Sequence, residues 1–267
     1  MKIVLISIAV LVAIGVLAAL LLYVVSQKFK VVEDPMIDKI AELLPGANCG
    51  GCGFAGCRNF AENVVKNGGP KGQRCPAGGD PVNNAIAALF GQESEVVEKQ
   101  IIVLKCNGTC EHAPAKVHYD GIQTCAFENM VTAGESGCAY GCLGCGDCVK
   151  ACHWGAIAIG EDGLPHINHD ICGQCQSCAR ACPRGLLEAV PVVDNKVVYV
   201  ACSNKDKGAE ARKNCAVACI GCMKCTKVCP QEAITVENNV AKINNKCIAC
   251  GECEQNCVMK AINHIQL

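Results

Sequence analysis

The chain has 267 residues, more than one domain of ordinary size needs, and 26 of them are cysteine. A formal net charge of −1 with a pI near 6.6 excludes the basic surface that nucleic acid would require. Aromatic residues make up only 4% of the chain, so metal ligation rather than large side chains is expected to organise its core.

Residues 3–25 form an aliphatic run interrupted only by Ser7, Gly15 and Tyr23. That length suffices for a transmembrane helix. It exceeds a signal-peptide core, and its exit, LLYVVSQKFK, offers no small-x-small cleavage site. Lys28 and Lys30 follow the run and only Lys2 precedes it, which predicts a single pass with the cysteine-rich region in the cytoplasm. A reducing compartment disfavours disulfides. No Asp, Glu, Arg or His lies within the run, so it is expected to anchor rather than conduct.

Next comes LLPGANCGGCGFAGCRNFAENVVKNGGPKGQRCPAGG, with Cys49, Cys52, Cys57 and Cys75 as one predicted ligand set and an amphipathic helix over residues 60–66. Residues 51–56 formally fit the dinucleotide pattern G-x-G-x-x-G, but Pro45-Gly46 stands where its strand should end, so the match is rejected.

The last 130 or so residues repeat one spacing, Cys-x2-Cys-x2-Cys-x3-Cys, four times: Cys142, Cys145, Cys148 and Cys152; Cys172, Cys175, Cys178 and Cys182; Cys219, Cys222, Cys225 and Cys229; Cys247, Cys250, Cys253 and Cys257. This is the spacing of bacterial two-cluster ferredoxins, in which three cysteines wrap one [4Fe–4S] cubane and the fourth ligates the neighbouring one. Zinc would more naturally use separated pairs. By the exchange rule Cys182 completes the set of Cys142, Cys145 and Cys148, while Cys152 completes that of Cys172, Cys175 and Cys178. Cys257 and Cys229 are expected to swap likewise. A β-prone stretch follows each fourth cysteine, so residues 138–190 and 215–267 read as two copies of one module.

Six cysteines remain. Cys138 and Cys215 lie four before Cys142 and Cys219, and IIVLKC resembles VVYVAC upstream, so the repeat reaches back to Cys106 and Cys202. Three readings stay open: alternative ligands, a sixth cluster from Cys106, Cys110, Cys125 and Cys138, or buried thiols that pack, as expected for Cys202 and Cys215. The histidines are scattered, no catalytic residue is expected, and five oxidised cubanes would take the net charge to about −11.

The N-terminal span, LLPGANCGGCGFAGC with its distal RCPAGG, and GCLGCGDCVKAC followed by further ferredoxin motifs together resemble the B subunit of the Rnf complex. The resemblance implies an iron–sulfur, electron-transfer subunit of a membrane-bound, ion-translocating ferredoxin:NAD⁺ oxidoreductase. It implies partners that include reduced ferredoxin and other flavin- or NAD-binding membrane subunits, and Na⁺ or H⁺ as coupling ion. In that family the position of Cys145 is often not cysteine whereas that of Cys138 is, leaving the two as alternative ligands. The expected fold is α+β: a transmembrane anchor (1–26), a small helical 4Fe-4S domain (35–92), a connecting region with extra cysteines (93–137), a two-cluster ferredoxin module (138–190), a linker (191–214) and a second module (215–267). At least five [4Fe–4S] clusters are expected, six if the extra cysteines form another.

Overall fold

The computed structural model describes residues 2–28, 34–92 and 99–267. The expected anchor is helical: α1 runs over Lys2–Lys28. Within it, side chains are described at Ile6 and residues 11–25, and each of these is exposed. That stretch is shorter than the ~20 residues a bilayer requires, and among the described residues no helix is long and apolar enough to cross a membrane. Lys30, on which the predicted orientation partly rests, lies outside the described residues.

The N-terminal domain is three helices. Asp34 caps α2 (Pro35–Leu43) by accepting from the Met36 amide, and Pro35 supplies a preset φ at the first turn. The helix expected over 60–66 is α3 (Cys57–Lys66), about one turn longer at its start, where Cys57 opens it. With α4 (Gly79–Leu89), these helices bury Ile40, Phe60, Val64 and Ile86 in a core that also takes in Cys75. Phe54 meets Phe60 edge to face at 5.5 Å.

The remainder is two copies of a short-stranded unit. The first comprises β1 (Gln100–Leu104), α5 (Cys125–Val131), α6 (Asp147–Lys150), β2 (Ile157–Ile159), β3 (Pro165–Ile167), α7 (Ser177–Ala181) and β4 (Leu187–Pro191). The second comprises β5 (Lys196–Val200), α8 (Gly208–Asn214), α9 (Lys224–Val228), β6 (Ile234–Glu237), β7 (Val240–Ile243), α10 (Glu252–Gln255) and β8 (Ile262–Gln266). The inner hairpins pair β2 with β3 and β6 with β7. The outer strands differ from the sequence reading in an informative way. β4 pairs antiparallel with β1, and β8 with β5, so the segments read as connecting region and linker each donate a strand to the module that follows.

Those donated strands also join the modules. Ile101 and Val103 on β1 pack with Val197 on β5, all three almost fully buried, with Val190 and Ile265 around them. A strand whose alternate side chains face a second sheet is buried on both faces, which is why IIVLKC and VVYVAC read as nearly continuous apolar runs.

Candidate metal centres

The N-terminal centre is built on tight turns. Asn48, Gly50 and Gly53 adopt positive φ (47°, 67° and 86°) and fold residues 48–57 back on themselves. Asn48 Oδ1 accepts from the Cys57 amide at 2.8 Å, fixing the loop's end to its start. Cys75, predicted as the distal ligand, is held by buried Asn83, whose side chain accepts from Cys75 N (2.8 Å) and donates to Cys75 O (3.0 Å) and Gly79 O (2.6 Å). Burial raises the Cys75 thiol, the Gly78 amide acts against that shift, and nearby Cys52, Cys57 and Cys49 raise it further. The four thiols predicted as one set are thus neighbours.

In each ferredoxin-type loop the residues flanking the second cysteine are left-handed: Gly144 and Gly146, Gln174 and Gln176, Gly221 and Met223, Ala249 and Gly251, with φ from 51° to 81°. The tight wrap around each second cysteine requires this backbone even where a side chain makes it costly. The fourth cysteine of every loop accepts an amide from four residues on, Ala156 to Cys152, Leu186 to Cys182, Ala233 to Cys229 and Ala261 to Cys257, at 3.3–3.4 Å. Such N–H donors favour the thiolate that iron needs.

The loops bring thiols together across each module. Cys219, Cys222, Cys225 and Cys257 line one cavity. Burial raises Cys253 to about 12 with Cys247, Cys250 and Cys225 adding to it, and Cys229 stands by Cys247. In the first module burial raises Cys178 to about 11, and its neighbours Cys172, Cys175 and Cys152 raise it further.

The remaining set departs from the spacing. A cavity is lined by Cys142, Cys148 and Cys182, and its fourth thiol is Cys125 rather than Cys145. Cys125 opens α5, which Thr124 caps by accepting from Phe127 N and which Asp147 ties to the cluster loop by accepting from Ala126 N. Cys145 Sγ instead donates to the buried carboxylate of Glu128 at 2.9 Å. Burial first, and then this bond and the nearness of Cys125, hold the Cys145 thiol well above its ordinary range. Sequence reasoning weighed Cys125 only for a different set. The other candidates divide: Cys106 and Cys138 face a cavity at the junction of the modules, whereas Cys110 is exposed.

The N-terminal loop docks on the first module. Arg180 donates to the Cys175 carbonyl at 3.2 Å and to the Cys49 carbonyl at 3.3 Å, and Ser177 Oγ also reaches Cys49 O at 3.3 Å. Gly51 lies directly on the Cys175 backbone, where an added Cβ would fall 3.0 Å from its Cα.

Among the described residues no three His, Cys, Asp or Glu side chains close around a single metal ion. Four thiolates on one zinc would stand only about 3.8 Å apart. A cubane gives each thiolate its own iron and takes a wider ring. All-cysteine donor sets with amides on their sulfurs fit the cubane.

Residues 44–77 match a family model for an Fe-S cluster. Models for a 4Fe-4S dicluster domain match residues 141–186 and 218–262, and one for a 4Fe-4S double cluster binding domain matches 171–232. The chain is 45% identical to the B subunit of the ion-translocating oxidoreductase complex of Methanosarcina acetivorans, over 96% of both chains. It is 40% identical to the B subunit of the Na(+)-translocating ferredoxin:NAD(+) oxidoreductase complex of Acetobacterium woodii, over 97% of this chain and 78% of that one. Identity to the proton-translocating counterpart of Clostridium ljungdahlii is 39%, over 99% and 94%.

Proposed function

The chain belongs to the family of B subunits of ion-translocating oxidoreductase complexes, and on that premise we propose that it is the iron–sulfur subunit that takes electrons from reduced ferredoxin and relays them to membrane partners that reduce NAD⁺. The observation that carries this reading is near-full-length identity to such subunits together with cysteines from separate loops lining shared cavities. Each bound [4Fe–4S] cluster would supply a centre that takes up and gives back one electron.

The chain's own residues do the rest. Cys49, Cys52, Cys57 and Cys75 are proposed to hold the N-terminal cluster. The proposed ferredoxin-type sets are Cys125, Cys142, Cys148 and Cys182; Cys152, Cys172, Cys175 and Cys178; Cys219, Cys222, Cys225 and Cys257; and Cys229, Cys247, Cys250 and Cys253. Backbone amides at the sulfurs stabilise thiolate, and the Arg180 and Ser177 contacts to Cys49 O hold the N-terminal loop against the first module. We assign α1 as a single-pass anchor with the cysteine-rich region cytoplasmic. Supporting this are its 27 residues, about 40 Å of helix, and the exposure of Leu11, Leu17 and Leu22 to nearly 70%.

Isolating the complex from solubilised membranes through a tag on this chain tests the proposal. Flavin- and NAD-binding subunits should copurify, and reduced ferredoxin should bleach the clusters and drive NAD⁺ reduction. A chain recovered alone from the soluble fraction, and not reducible by ferredoxin, would refute it. Protease should cut residues 34–267 in inside-out vesicles and spare them in intact cells; the reverse would overturn the orientation.

A further inference from the structure

We propose that Cys106, Cys138, Cys202 and Cys215 hold a sixth [4Fe–4S] cluster at the junction of the two ferredoxin modules. The proposal rests on reading the chain as an iron–sulfur protein, and its ligand set differs from the Cys106, Cys110, Cys125 and Cys138 that sequence order suggested for a sixth cluster.

The four thiols line a single cavity, and that cavity contains no Asp, Glu, His, Lys or Arg. In gathering cysteines it resembles the cavities of the first and second modules, which gather Cys142, Cys148 and Cys182 and Cys219, Cys222 and Cys225. A side-chain carbon at Gly108 would touch Cys215 Sγ at 3.5 Å and Cys106 Sγ at 3.7 Å, so sulfurs from two distant segments converge on one point of backbone.

The donors around the sulfurs repeat between the modules. The Cys142 amide donates to Cys106 Sγ at 3.4 Å and the Cys219 amide to Cys202 Sγ at 3.3 Å. Cys142 and Cys219 are the first cysteines of corresponding ferredoxin loops, and Cys138 and Cys215 each stand four residues earlier. Each repeat therefore contributes the same two positions, and the site straddles the approximate symmetry that relates them. Asn204, only 2% exposed, donates Nδ2 to Cys138 Sγ at 3.3 Å. Thiols present only to fill space would not need a buried amide aimed at sulfur.

The junction is held by bonds that cross it: Ser203 Oγ donates to Lys105 O at 3.1 Å, and Ala216 N to His112 O at 2.8 Å. The cysteine account also closes. With the five sets above, this one leaves only Cys110 and Cys145 outside a ring, one exposed and the other bonded to Glu128. Loading a preformed [4Fe–4S] cluster exchanges four S–H bonds for four S–Fe bonds, releases four protons and changes no oxidation state.

The test uses the full holo chain. Iron and acid-labile sulfide should each come to about 24 per chain, and the Cys202→Ser/Cys215→Ser variant should retain about 20 while losing one reduced-cluster resonance. Cys110→Ser should stay at about 24. Asn204→Asp is the milder variant: Asp keeps the acceptor for the Asp206 amide but replaces the donor at Cys138 with a carboxylate oxygen. It should keep all the iron and move one redox step to more negative potential, leaving the others in place. Iron near 20 in both parent and serine variant, with every redox step unmoved in Asn204→Asp, would overturn the sixth site while leaving the five-cluster reading intact. Stoichiometric zinc or little iron would overturn both.

Discussion

Gly51→Ala separates two cluster loops without touching a ligand. The new Cβ would sit 3.0 Å from Cys175 Cα and 3.1 Å from both its Cβ and its carbonyl oxygen. Ordinary carbon contacts lie at about 3.5–4.0 Å, so the N-terminal domain must retreat from the first module by roughly 0.5–1 Å. The contacts are with backbone, which cannot swing aside as a side-chain tip can, and overpacking of this kind costs about 1–3 kcal/mol. The docked population should fall about 5- to 150-fold relative to the undocked one. The Arg180 and Ser177 bonds to Cys49 O, already at 3.3 Å, have little reach left to compensate. Iron content should match the parent. The magnetic interaction between the reduced N-terminal cluster and its neighbour should weaken, and transfer between them after rapid mixing with reduced ferredoxin should slow. Unchanged coupling with an unchanged transfer rate would show that this contact does not position the two centres.

Asn83→Ala strips partners from both the N–H and the C=O of Cys75, at about 1–3 kcal/mol for each group left unpaired; hydrogen exchange at Cys75 should accelerate at least tenfold, and chelators should remove the N-terminal cluster first. Unaltered protection there would remove Asn83 from its clamping role. Cys125→Ser should lose about four irons, whereas Cys145→Ser should lose none; the opposite pattern in iron analysis would restore the set predicted from spacing. Arg184 donates to Gly141 O at 2.6 Å, Ala133 O at 3.0 Å and Asn129 Oδ1 at 2.8 Å. Arg184→Ala should therefore weaken the seating of the 125–142 segment by about 1.5–3 kcal/mol, read as faster proteolysis within 119–141, and an unchanged cleavage rate would count against that role.

What the sequence made legible was local. Four equal spacings announce the ferredoxin loops because each wrap is complete within about ten residues, and the strands after Cys152, Cys182, Cys229 and Cys257 follow from short β-branched runs. The helix after Cys57 showed in the positions of Phe60 and Val64. Pairing between distant segments did not show. β1 and β5 looked like connectors because their partners lie some 60–90 residues downstream, and nothing local marks such a pairing. For the same reason Cys125 could not be seen to approach Cys142, and Cys202 and Cys215 read as packing thiols. One signal was present: IIVLKC and VVYVAC recur with a further cysteine four residues before each first loop cysteine, a regularity that packing alone does not demand.

The donated strands also fix an order of construction. A ribosome delivers about 5–20 residues per second, so the N-terminal domain, whose proposed ligands end at Cys75, can close while the rest of the chain is still being made. β1 must wait, unpaired, until β4 emerges, and β5 must wait for β8. During both intervals an apolar strand edge and a group of bare thiols are open to oxygen and to other nascent chains. Iron delivery for the two ferredoxin units is thus a late event of biosynthesis. A truncation that removes β8 would leave β5 without its partner even though every cysteine has been translated.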